Sequence, residues 1–190
     1  MAYGPVVLLT IYQDMKVFDY LEGNPIIEIK KISEELKLSF KLVLEIGEEC
    51  WMKIKEFTVY RLIKSEDLNH HGTLFAGRCA EWFVEAGFIA AADISFPNNT
   101  VCLKIHGMTF TKAVHRGDTI KFTSKVIWVG RSRLVSYVKV STKDGEFLVD
   151  GFITFVHVDN EGHSEPHGIS QIEPQTEEDK KNHELAQHVV

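Results

Sequence analysis

The stretch DLNHHGTLFAGRCAEWFVEAGFIAA, residues 67 to 91, sets an asparagine, two adjacent histidines and three carboxylates around an apolar helical run. Asn69 could orient a water or a substrate, and His71 could deprotonate that water, since an ordinary imidazole pKa of about 6.5 suits a base near neutrality. Glu81 and Glu85 could take a proton or attack a carbonyl. Free backbone amides at a helix start, around Thr73 and Gly77, could polarise an oxygen, and Gly77 would let another group approach the main chain closely. Each residue also has a plainer use. The two glutamates can form a solvated helix face or pair with Arg78, and Asn69, His70 and His71 can cap a turn. His70 is given no role. Adjacent histidines point in different directions, and no HExxH or cysteine pair completes a ligand set, so no metal is expected.

Residues 53–157 must supply the frame for that stretch. KEFTVYRLI alternates as a strand does, and FAGRCAEWFVEAGFIAAAD reads as a long Ala-rich helix ending before Pro97 and Asn98-Asn99. TVCLKIHGMTF, DTIKFTSKVIWVG, RLVSYVKVSTK and EFLVDGFITFVHVD are rich in Val, Ile, Phe and Thr and are separated by Gly117-Asp118, Gly130-Arg131 and Asp144-Gly145. The last three read as consecutive antiparallel strands joined by short turns. One long helix followed by such a meander must bury its apolar surface on the sheet. The expected class is therefore α+β, with an antiparallel sheet wrapped around a central helix.

The ends of the chain differ from this middle. The 190 residues carry a formal net charge of −6, and the acidic excess lies in residues 1–50 and 170–190. An acidic balance argues against nonspecific nucleic-acid binding, so nucleic acid is not an expected partner. Residues 1–50 place apolar positions at helical spacing, and IKKISEELKLSFKLVLEIGEE resembles a helix-turn-helix, although Lys41 is the main outward cation of its second helix. A small helical extension, 1–50, is expected to precede the main domain, 51–169, and a polar tail, 170–190, to follow it as a solvated helix or a partly disordered end. No uncharged apolar run reaches about 18 residues, and GPVVLLTIY has no basic region before it. With Cys50, Cys79 and Cys102 widely spaced and odd in number, a cytoplasmic chain with reduced thiols and no membrane segment is expected.

The order of elements and several short motifs together resemble the hotdog-fold acyl-CoA thioesterases. DLNHHGTLFAGRCAEWFVEAGFIAA is similar to that family's loop and central helix, Arg116-Gly117-Asp118 to its turn before a long strand, Gly130-Arg131-Ser132 to its mid-sheet turn, and FITFVHVDNEG to its last strand. The likeness spans roughly residues 54–166. It implies a hydrolase that splits acyl-CoA into a carboxylic acid and CoA, with CoA as part of the substrate, no further cofactor, and at least a homodimer. It also implies a carboxylate seven residues after Gly77, where this chain has Val84. A valine can neither accept a proton nor attack a carbonyl.

Two acids flank that position. Glu81, three residues earlier, shares a helix face with Val84. A second alignment, of DLNHH with the Asp-x-Asn-x-His string of plant acyl-ACP thioesterases, brings Glu85 forward as support for Asn69 and the base His71, and is the one favoured. For the phosphorylated adenosine end of CoA, Gly130, Arg131, Ser132 and Arg133 offer a turn, a hydroxyl and two guanidinium forks, with Lys112 and Arg116 as poorer candidates. An exposed hairpin would need the same residues. The acyl chain is expected between subunits, against Trp82, Phe83 and Phe88. The alternative reading, motivated by Val84 and the helix-turn-helix-like segment, is a non-catalytic sensor of CoA esters.

Overall fold

Alternating β-branched and aromatic residues form a five-stranded antiparallel sheet, and the Ala-rich run forms the helix that fills its concave face. The computed structural model describes residues 52–189. The proposed 1–50 extension and its helix-turn-helix therefore lie outside the described residues. Along the chain run β1 (Met52–Lys53), β2 (Phe57–Leu62), α1 (Ala76–Ala92), β3 (Thr100–Gly107), β4 (Thr119–Val129), β5 (Arg133–Thr142), β6 (Phe147–His157), β7 (Ile172–Glu173) and α2 (Glu177–His188). The main sheet has the order β2-β4-β5-β6-β3, so β2 and β3 are its edges, and β1 pairs in parallel with β7. This is the hotdog arrangement. Bulges interrupt the β3–β6, β4–β5 and β5–β6 pairings, and such insertions bend strands so that a sheet can curve around a helix.

Helix α1 buries Cys79, Phe83, Ala86, Gly87, Ala90 and Ala91, an apolar stripe at helical spacing that faces the sheet. Phe83 is fully buried among Phe122, Val138, Ile153 and Phe155, and burial of a side chain that size contributes roughly 2–3 kcal/mol. Gly87 marks the closest approach. A Cβ there would lie 2.6 Å from the tip of Ile153 and 3.2 Å from a Val138 methyl. The Gly87 carbonyl also accepts a hydrogen bond from the buried Ser136 hydroxyl at 3.0 Å. Backbone contact through a glycine and a hydrogen bond through a serine fix how α1 sits in the sheet.

The tail departs from the solvated helix that its composition suggests. Thr176 and Asp179 form a reciprocal capping box at the start of α2, and one face of the helix packs on the outer side of the sheet. Ala186 is buried with Ile127, Val135 and Tyr137, and the Ile127 carbonyl lies 2.7 Å from His183 Nδ1. Lys125 Nζ meets Asp179 Oδ1 at 2.5 Å, with both side chains nearly enclosed. Composition hid this contact, because the residues that anchor α2 are themselves polar.

Burial alone would raise the Asp179 pKa, but hydrogen bonds from Lys125 and Thr176 and the Lys125 charge hold it below the usual carboxylate value. A folded pKa below the unfolded value of about 3.9 adds stability above that pH and loses it as pH falls through the folded value. Asp179→Asn is expected to cost about 3 kcal/mol at neutral pH, because it leaves the enclosed Lys125 uncompensated, and to flatten the acid limb of the stability profile. Unfolding midpoints measured from pH 3 to 7 check both effects.

Candidate active site

The loop before α1 is built on two side chains. Asp67 is buried, its Oδ2 accepting from the Lys64 amide at 2.9 Å and its carbonyl accepting from the Phe75 amide at 2.8 Å. Asn69 Oδ1 accepts from the His71 amide at 2.8 Å and the Thr73 amide at 3.3 Å, while Asn69 Nδ2 donates to Thr73 Oγ1 at 3.0 Å. Gly72, with φ of +76°, makes the reversal between them. Thr73 then bridges to His115, and the Leu74 amide donates to the Val114 carbonyl at 2.8 Å. The loop thus closes on itself through Asn69 and is fastened to the β3–β4 connection. His71 is exposed, its ring against that of His70 at 3.9 Å.

Helix α1 starts at Ala76 with Phe75 as its cap, whose side chain makes no capping hydrogen bond. The first hydrogen bond into the cap runs from the Cys79 amide to the Phe75 carbonyl at 3.1 Å, which leaves the amides of Ala76, Gly77 and Arg78 as the helix-start donors without a partner among the described residues. Gly77 has a local reason to be glycine. The Phe75 ring lies over it, 2.5 Å from where a Cβ would be.

Behind Asn69 and Thr73 opens a cleft of about 210 Å³, lined by both residues and by Leu74, Cys79, Phe110, Lys112, Val114 and Leu148 among others. Of the candidate site residues, Asn69 and Thr73 are the two it brings together here. Cys79 faces this space, but burial pushes its thiol up to about 12, so it is a small neutral wall and not a nucleophile. Phe110 was missed from sequence, because it lies past the end of β3 in a segment that reads as more strand. The chain instead turns at Gly107 and Met108, both with φ above +90°.

Neither glutamate bonds to the loop. Glu81 is exposed and pairs with Arg78 at 2.7 Å, and Arg78 also lies 3.4 Å from Asp67. Glu85 pairs with Arg61 of β2, whose guanidinium sits 5.7 Å over the Trp82 ring. At 100° per residue from the sheet-facing Phe83, Trp82 falls on the β2 flank and Val84 and Phe88 on the opposite flank, while Glu85 and Glu81 both fall near the outer crest, Glu85 on the Trp82 side of it and Glu81 on the Val84 side. Phe88 meets the Phe155 ring of β6 at 5.8 Å, and Trp82 meets Phe122 of β4 at 6.3 Å, as that assignment requires. Val84 packs against the core. Among the described residues, no group of three or more His, Cys, Asp or Glu side chains is placed to hold a metal.

Gly130, Arg131, Ser132 and Arg133 form the β4–β5 hairpin, with the Gly130 amide donating to the Arg133 carbonyl at 2.8 Å. Arg131 and Arg133 are exposed, and the Ser132 hydroxyl bonds to that of Ser164 at 2.9 Å. The hairpin is backed by His157 and His167, whose rings are 6.3 Å apart. Burial lowers the His167 pKa, the Arg133 carbonyl opposes that shift, and the neighbouring His157 adds to it. Asn69 lies near Ile120 at the start of β4 and the hairpin follows Val129 at its end. At roughly 3.3 Å per residue they are about 30 Å apart within one chain.

The family model described as the thioesterase superfamily matches residues 71–148. A protein of Bacillus subtilis (strain 168), called an uncharacterized acyl-CoA thioester hydrolase, is 31% identical over 125 residues, covering 63% of this chain and 71% of that one. The solved structure of an apo-hexameric acyl-CoA thioesterase is 30% identical with a TM-score of 0.62, covering 70% of this chain and 86% of its own. An acyl-CoA hydrolase from Bacillus cereus is 28% identical with a TM-score of 0.63, covering 70% and 83%. The helix-filled sheet, the loop closed by Asn69 and these likenesses agree: the chain belongs to the hotdog-fold acyl-CoA thioesterase family.

Proposed function

We propose that the chain hydrolyses acyl-CoA to a free carboxylic acid and CoA at a site assembled between two copies. The observation that carries this reading is the unpaired first turn of α1 beside the Asn69–Thr73 loop, with an apolar cleft behind it. The amides of Ala76, Gly77 and Arg78 are donors for the oxygen that gains charge when water attacks the thioester carbon. His71 takes the proton from that water. The water oxygen bonds to the acyl carbon, the C–S bond breaks, and the CoA thiolate leaves and is protonated. Asn69 orients the reacting groups through its remaining amide hydrogen.

A helix carboxylate would stabilise the charge that His71 gains as it takes the proton from water, or would serve as the base itself. Arg61 draws Glu85 toward β2, and Glu81 lies nearer the flank of Val84, so Glu81 is the better placed of the two and Glu85 the second candidate. Val84 favours one competing reading, a protein that binds CoA esters without turning them over.

Edge strand β3 supports the assembly. Val101, Leu103 and Ile105 are 44%, 55% and 39% exposed, an apolar edge that invites a second strand. The start of β3 pairs with His157, beside the hairpin, and its end lies at Gly107, beside the Asn69 cleft. Two copies joined antiparallel along β3 would bring the Gly130–Arg133 hairpin of one to the Asn69 end of the other. That hairpin would then hold the phosphorylated adenosine of a CoA whose thioester lies at the opposite subunit's loop. The unpaired Cys79 and Cys102 thiols suit a reducing cytoplasm.

Thiol release from acyl-CoA by the full chain tests the reading. His71→Ala is expected to lower kcat on the order of 10²- to 10⁴-fold, and Glu81→Gln to lower it more than Glu85→Gln. A wild type that binds CoA esters but releases no thiol, and gains turnover with Val84→Asp, would make the binding protein the correct reading. Leu103→Lys should shift the chain to a smaller species in sedimentation analysis, because it places like charges across the paired edge. An unchanged species would remove β3 as the interface.

A further inference from the structure

We infer that the cleft behind Asn69 and Thr73 is the acyl-chain bay, that it takes neutral tails of short to medium length, and that Phe110 on its rim is one of the walls that set their limit. This rests on the thioester reading of the same site. The polar residues of the cleft, Asn69, Thr73 and Lys112, come from its loops, whereas the deeper wall is the buried Cys79, Val114, Ile120, Val140, Leu148 and Val149. A thioester held at the loop would therefore point its alkyl tail into apolar surface contributed by one subunit. The expectation from sequence put the tail between subunits, against Trp82, Phe83 and Phe88. Phe83 is wholly buried and Trp82 faces the β2 flank, so neither lines this cleft.

Size and charge define the substrate class. Taking roughly 30 Å³ for a group the size of a water, a volume of about 210 Å³ holds a tail of on the order of seven carbons. Nothing in the deeper wall can stabilise a charge. The rim cation, Lys112, is paired with Glu146, and the Cys79 thiol stays neutral. A tail ending in a carboxylate would lose its hydration with no partner. Phe110 stands at the rim, 45% exposed. Its place is fixed by Thr111, whose amide and hydroxyl donate to the Leu148 carbonyl at 3.2 and 2.8 Å, and by the left-handed Gly107 and Met108 on its other side.

Binding of non-hydrolysable S-alkyl-CoA thioethers, C2 to C16, measured by calorimetry on the full chain, reads the bay without requiring turnover. Affinity should rise about three- to fourfold per methylene up to on the order of seven carbons and then level off. An ω-carboxylate analogue should bind at least tenfold more weakly than the alkyl analogue of equal length. Phe110→Ala should move the break to longer chains, and Ala113→Trp, at an exposed lining position, should move it to shorter ones. A break that moves with these substitutions supports the bay even if no thioester is cleaved, in which case the hydrolytic reading alone fails. Affinity that climbs unbroken to C16, a break unmoved by both substitutions, equal binding of the ω-carboxylate, or no binding of any analogue would overturn it.

Discussion

Helix α1 can lie deep in the sheet only because Gly87 has no side chain where Ile153 and Val138 crowd it. With its axis so close to β4 and β5, its apolar stripe is consumed by the concave face and its start is pushed out toward the β3–β4 connection. There the Asp67–Phe75 and Leu74–Val114 hydrogen bonds hold the entering loop. The same packing that stabilises the core thus leaves three amides at the beginning of α1 with no side-chain acceptor among the described residues, at the end of the helix where Ala76 lines a cleft with Asn69. Donors held in advance cost nothing to arrange during reaction.

A sheet that wraps one helix leaves an outer face and an edge to be covered, and here the two are managed differently. The outer face beyond β4 and β5 is closed by α2 through a buried ion pair and a capping box, which removes one place where copies could associate. β3 is left with apolar residues at its edge. Because β3 spans from the hairpin end of the domain to the cleft end, the proposed pairing along it would join two halves of a site that one chain keeps about 30 Å apart. In that proposal assembly and chemistry are the same requirement.

Much of this was legible in the residues. The period-two runs after residue 100 and the Ala-rich stretch before Pro97 led directly to the sheet and helix, because both patterns report burial. Asn69, Thr73 and Gly77 were also legible, as turn and helix-start chemistry, although the Phe75 ring over Gly77 was not. Spacing left Glu81 and Glu85 open, because which flank of a helix faces an edge depends on neighbours far away in sequence, here Arg61, 24 residues before Glu85. Phe110 was hidden because a strand-like run broke at Gly107–Met108. The docking of α2 was hidden because Lys125 and Asp179 look like surface residues until they meet.

Subunit mixing tests the shared site most directly. Asn69→Ala and an Arg131→Ala/Arg133→Ala double substitution each disable one half of the site. When the two proteins are unfolded, mixed in equal amounts and refolded, half the dimers are hybrids with one intact site in two, so about a quarter of wild-type thiol release should return. Recovery to that level is the expected result. If the mixture remains as inactive as its parents while hybrids demonstrably form, loop and hairpin do not serve the same site across the pair, and the central claim is wrong.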